Sequence, residues 1–110
     1  MVRGVTVAEV RGRLDASSAS RQLGETIASQ IEAGNNRIVL DVSGIDYADS
    51  TGIEALVGIY QKAKGAAGGV RVVRPGAKLD QLLKMTRLNE VLGIVEDEES
   101  AVNQLLGTGS

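Results

Sequence analysis

The chain has 110 residues, and twelve Lys and Arg against fourteen Asp and Glu leave a formal net charge of −2. That length suits one domain, and that balance excludes both a basic nucleic-acid footprint and a polybasic membrane patch. His, Cys, Trp and Phe are absent, which removes Ser-His-Asp and Cys-His nucleophiles, imidazole or thiolate metal sites and disulfides.

The domain is expected to span 1–110, with its core at about 4–106 and a flexible tail at 107–110. The first twelve residues are too polar for a signal peptide, and no apolar run approaches the ~20 residues that span a bilayer. A cytoplasmic protein without membrane insertion is expected.

A first strand is expected from Gly4 to Arg11, with Val5, Val7 and Val10 as apolar positions. Val10 is out of phase with the other two, which implies a bulge or burial on both faces. Asp15, Ser17 or Ser18 offers an N-cap to a helix carrying Ala19, Leu23, Ile27 and Ile31 at intervals of four, stopped by Gly34-Asn35-Asn36. Arg37 to Val42 is a β-branched run that reads as a central strand covered on both faces. Ser43 to Asp49 reads as a loop rich in Gly and Asp.

A second helix is expected from Ser50 to Lys64, with Ile53, Leu56, Val57, Tyr60 and Ala63 on one stripe. Val70 to Val73 forms the next strand, closed by Pro75-Gly76. A short helix from Ala77 to Met85, a short strand from Leu92 to Val95 and a final helix capped by Asp97 complete the chain. Strands alternating with helices imply an α/β fold: a mostly parallel sheet of four to five strands covered by about four helices.

The unusual stretch is Asp41 to Glu54, DVSGIDYADSTGIE. No basic residue lies between Arg37 and Lys62, yet Asp41, Asp46, Asp49 and Glu54 all do. In open α/β sheets ligands and partners meet the loops at the carboxyl ends of strands, and this stretch sits there.

Three readings compete. The first is capping: Thr51-Gly-Ile-Glu54 has capping-box spacing, and Ser50 serves similarly if the helix begins one residue earlier. The second is a metal held by Asp46, Asp49 and Asp41. Its spacing fails the calcium-loop pattern and leaves magnesium with a phosphate. The third is a phosphorylation switch at Ser50, where about two added negative charges would meet the free N–H groups of a helix start and repel an acidic partner.

Ile38-Val-Leu-Asp-Val-Ser-Gly-Ile-Asp-Tyr-Ala-Asp-Ser-Thr-Gly-Ile53 resembles the signature of the STAS domain, named for sulphate transporters and anti-sigma factor antagonists, and is similar in particular to the free-standing bacterial antagonists. Gly12-Arg-Leu-Asp15, Gly68-Gly69-Val70 and the Leu79, Leu82, Leu83, Leu88 and Val91 segment also resemble the family, so the likeness covers about residues 5 to 106.

The resemblance implies a non-enzymatic binding module with no cofactor and no metal. It would bind an anti-sigma factor serine kinase and release the sigma factor. Phosphorylation of Ser50 would switch it off, and a PP2C-type phosphatase would restore it. Asp15, Asp46, Asp49, Ser50, Thr51 and Gly52 are then the partner-binding candidates, and Tyr47 packs under the loop. The alternative is a STAS subunit of a stress-signalling scaffold or of a lipid-transport ATPase. A weak nucleotide-binding protein ranks last, since no Gly-x-x-x-x-Gly-Lys-Ser/Thr loop is present.

Two departures from the family are visible. It usually has one more N-terminal strand, so a bare sheet edge and a homodimer through that edge are expected. It also often uses Phe in its core, so packing here rests on Leu, Ile and Val.

Overall fold

The computed structural model describes residues 4–15 and 18–106. Ser17 as a cap, the side chains of Ser18 and Ala19, and the tail at 107–110 lie outside the described part. The elements are β1 (Thr6–Leu14), α1 (Ser18–Glu32), β2 (Arg37–Ala48), α2 (Ser50–Gly65), β3 (Gly69–Val73), α3 (Ala77–Met85), α4 (Leu88–Leu92), β4 (Ile94–Val95) and α5 (Glu98–Leu106). The strands pair in the order β1-β2-β3-β4, all parallel.

That order dictates where the helices go. Each crossover between successive parallel strands is right-handed, so helices added in one direction along a sheet fall on one face. Ile27 and Ile31 of α1, Ile53, Leu56 and Ile59 of α2, and Leu79 and Leu83 of α3 accordingly pack with Ile38, Leu40, Val42, Val70 and Val72 in a single core. The last helix follows the last strand and is free to return beneath. Ala101, Val102 and Leu105 of α5 cover Val5, Val39 and Val73 on the opposite face.

The expected α/β class holds, with four strands and five helices among the described residues. Val10 is out of phase because β1 packs on both sides: Val7, like the preceding Val5, packs with the α5 core and Val10 joins the larger one. The irregularities lie in the pairing of β1 with β2. From Glu9 to Arg11 the partners run from Asp41 to Gly44, and from Gly12 to Arg13 they run from Ile45 to Tyr47, so β2 holds an extra residue each time.

Ser43 to Asp49 is not the loop that its composition suggests. β2 continues to Ala48, because the far half of β1 supplies a ladder as far as Leu14↔Ala48. Gly44 is needed there, since a Cβ would lie 2.8 Å from the Arg11 side chain. The α2 stripe also shifts: Ile59 is buried, whereas Val57 and Tyr60 are half-buried. Asp97 caps α5 as expected, accepting from the Ser100 N–H at 2.7 Å.

β1 forms a free sheet edge among the described residues. Glu9, Arg11 and Arg13 are exposed along it, and Glu9 pairs with Arg11 at 2.9 Å.

Candidate functional site at the carboxyl end of β2

The start of α2 is set by a close approach of backbones. The Asp49 N–H donates to the Leu14 carbonyl at 3.2 Å, and the Ile53 N–H makes the first helical bond to the Asp49 carbonyl at 3.0 Å. Gly52 is buried against the end of β1: a Cβ there would lie 1.8 Å from the Leu14 oxygen and 2.8 Å from the Asp15 nitrogen. Glycine is therefore required for packing, at an ordinary helical φ.

The cap differs from expectation. Asp49 is the N-cap, in extended backbone, and its Oδ1 accepts from the Gly52 N–H at 3.1 Å. Neither Thr51 nor Ser50 caps the helix. Both lie in its first turn with Ser50 as the first helical residue, and both are exposed, as is Glu54. The Asp49 carboxylate, on the residue before the helix, fits the extended conformation and takes the Gly52 N–H as its N3 donor, whereas a Thr51 cap would take the Glu54 N–H.

Around this turn the fold gathers residues from three elements. Tyr47, near the end of β2, is half-buried. Its ring lies under the Arg13 guanidinium, 4.1 Å from the centroid, with the Lys78 ammonium at 6.0 Å. Its hydroxyl reaches Asp49 Oδ2 at 3.5 Å, the limit of a hydrogen bond. Arg13 Nε donates to Asp15 Oδ2 at 2.7 Å, and that hydrogen bond holds the Arg13 pKa above its ordinary value.

The stretch that is free of basic residues along the chain is thus flanked by two cations in space. Sequence reasoning does not reach Arg13 and Lys78, because their partner ring lies on another element. Arg13 does stand inside the quoted Gly12-Arg-Leu-Asp15 segment.

Asp15, Asp49, Thr51 and Gly52 are brought together here with Ser50, and Asp46 is exposed on the adjoining stretch of β2. Asp41 is not part of this group. It is the one buried charged residue among the described residues, at 6% exposure, and it pairs with Arg74 and accepts from the Ser43 N–H at 3.1 Å. Burial pushes its carboxyl pKa up, but the Ser43 N–H and then Arg74 outweigh that and hold it below the ordinary carboxylate value. Arg74 reaches Asp41 from a left-handed backbone, φ 54°.

With Asp41 committed to Arg74 and Asp49 to the cap, the three-carboxylate metal reading has no geometry. No group of three or more metal-ligating side chains occurs among the described residues. The site offers instead an exposed hydroxyl at the start of a 16-residue helix, beside carboxylates and a cation-stacked tyrosine. No helix among the described residues is long and apolar enough to cross a membrane.

Comparison with known proteins places the fold. The STAS domain family matches residues 2–101, and the chain belongs to that family. A protein of Bordetella bronchiseptica named "putative anti-sigma factor antagonist BtrV" is 20% identical over 100 residues, covering 91% of this chain and 85% of that one. The crystal structure of a protein of Thermotoga maritima, described in the same words, superposes with a TM-score of 0.88 at 20% identity, over 96% of this chain and 90% of that one. The Bacillus cell fate determinant SpoIIAA in its phosphorylated form gives a TM-score of 0.75 at 22% identity, over 94% of each chain.

Proposed function

We propose that this protein is a cytoplasmic anti-sigma factor antagonist that acts by docking rather than by catalysis. It binds an anti-sigma factor serine kinase through the surface around the start of α2, and so releases the sigma factor. Phosphorylation of Ser50 switches it off, and a PP2C-type phosphatase resets it. Asp15, Asp46, Asp49, Thr51 and Gly52 form the contact surface with Ser50.

The observation that carries this reading is the position of Ser50. It is exposed and is the first helical residue after the Asp49 cap, at the carboxyl end of a central strand. The N–H groups of a first turn lack intrahelical acceptors, so a phosphate there is tolerated by the fold. The family membership and the names of the relatives support the same reading.

Two added charges act mainly on the partner. At ~6 Å from a partner carboxylate each unit costs roughly 1–3 kcal/mol, for dielectrics between those of water and a protein surface. The two units together, roughly 2–6 kcal/mol, lower the affinity by a factor of about 30 to 20,000. A dimer through the β1 edge is the less favoured assembly, since the charges on Glu9, Arg11 and Arg13 oppose strand pairing.

The test is incubation with the cognate anti-sigma kinase and ATP, followed by phosphosite mapping by mass spectrometry. A single phosphate on Ser50 is expected. Phosphate elsewhere, or none, refutes the switch. Co-purification with a membrane ATPase, or in a large assembly without phosphate, would favour the scaffold or transport-subunit alternative.

A further inference from the structure

At the opposite end of the sheet, where the strands begin, lies a cavity of about 500 Å³ bounded by the C-terminal ends of α2 and α5 and by α4. Arg37, which opens β2 beside Gly69 of β3, lines it together with Lys64, Arg71 and Glu90. Three cations against one carboxylate give the cavity a formal charge of +2.

The cations are available. Arg71 is held by neutral partners, with Nε donating to Gln104 Oε1 at 2.8 Å and Nη1 to the Val70 carbonyl at 2.9 Å. Arg37 and Lys64 have no ion-pair partner among the described residues. Gly93 lies directly against the Arg71 side chain, where a Cβ would come within 2.8 Å, so this wall is shaped around the guanidinium.

The end of a helix ordinarily repels anions through its free carbonyls. At the end of α2 those of Lys62, Ala63 and Lys64 are taken by the N–H groups of Ala66, Ala67 and Gly68. Tyr60 and Val91 add an apolar wall.

We propose that this cavity binds a small phosphomonoester. The phosphate dianion matches the +2 of the site and lies on Arg37, Lys64 and Arg71, and its organic part lies against Tyr60 and Val91. Guanidinium groups suit phosphate because their donors form a planar fork. The 16 residues of α2, about 24 Å of helix, separate this cavity from Ser50, so the proposal stands independently of the docking surface.

The test is an amide NMR titration with phenyl phosphate, using inorganic phosphate and phenol as its two halves. Shifts are expected at Arg37, Lys64, Gly69 to Arg71 and Glu90 to Gly93, with Asp49 to Ile53 unmoved. Phenyl phosphate should bind more tightly than either half. Arg37→Gln and Lys64→Gln should each weaken it about tenfold, the scale of a lost charge-assisted hydrogen bond, and Glu90→Gln should tighten it. All three positions are exposed, so melting temperatures should not change. No response at millimolar phenyl phosphate, shifts centred on Asp49 to Ile53, or unaltered affinity in all three variants would overturn the proposal.

Discussion

Replacing Gly52 by alanine adds one carbon where the first turn of α2 meets the end of β1. That carbon would lie 1.8 Å from the Leu14 oxygen and 2.2 Å from its carbonyl carbon, whereas real Cβ contacts do not fall below 3.0 Å. The turn must therefore back away by about 1.2 Å, and the obstacle is backbone rather than a flexible side chain. The movement stretches the Asp49 N–H bond to Leu14, already 3.2 Å long. Overpacking costs about 1–3 kcal/mol and a lost hydrogen bond about 1, while alanine returns up to about 1 in helix propensity.

The net loss is roughly 1–3 kcal/mol, or a fall in melting temperature of about 4–15 °C at this chain length. Gly58, on the same helix, has open space around the position that a Cβ would take, with nothing within 4 Å. Gly58→Ala should therefore gain about 0.5–1 kcal/mol from propensity alone. Urea unfolding and thermal melts of both variants decide the matter. Equal effects of one sign, or a Gly52→Ala variant as stable as the parent, would show that α2 does not rest on the Leu14 carbonyl.

Two further predictions follow from the neighbouring carboxylates. Asp49→Ala should lower stability by about 1 kcal/mol through loss of the cap, and Asp49→Asn, which can still accept from Gly52, should restore most of it in the same urea titration. Asp41 has a folded-state pKa below its unfolded value of about 4. Its contribution is thus fully present above that value and is lost as pH falls through the folded-state pKa. Asp41→Asn should be less stable than the parent at pH 7, and the gap should narrow toward pH 3. Parallel stability curves would contradict the Asp41–Arg74 assignment.

Much of the fold is legible in the sequence, because the helices carry their apolar residues on one stripe and Ile38 to Val42 has no polar face before Asp41. The second half of β2 is not. Ser43-Gly-Ile-Asp-Tyr-Ala48 has the composition of a loop, and it becomes strand only because β1 lies beside it, a long-range pairing that local propensity does not report. The cap falls two residues earlier than the Thr51–Glu54 spacing suggests for a similar reason: the Leu14 carbonyl anchors the Asp49 N–H and fixes where the helix starts.

At the candidate site, Ser50 and the acids are readable as a cluster because they are neighbours in the chain. Arg13 and Lys78 are not, since they come from β1 and α3 and meet Tyr47 only in the folded molecule. The surface around Ser50 is therefore a mixed one, with cations stacked beside the carboxylates.

The switch is tested most directly by the affinity of the cognate anti-sigma kinase for the parent, its Ser50-phosphorylated form and Ser50→Ala, measured by calorimetry under one buffer condition. Docking around Ser50 predicts that Ser50→Ala binds within about threefold of the parent and that the phosphorylated form binds at least about tenfold more weakly, with its melting temperature nearly unchanged. Equal affinity of the phosphorylated and parent forms would contradict a switch at Ser50.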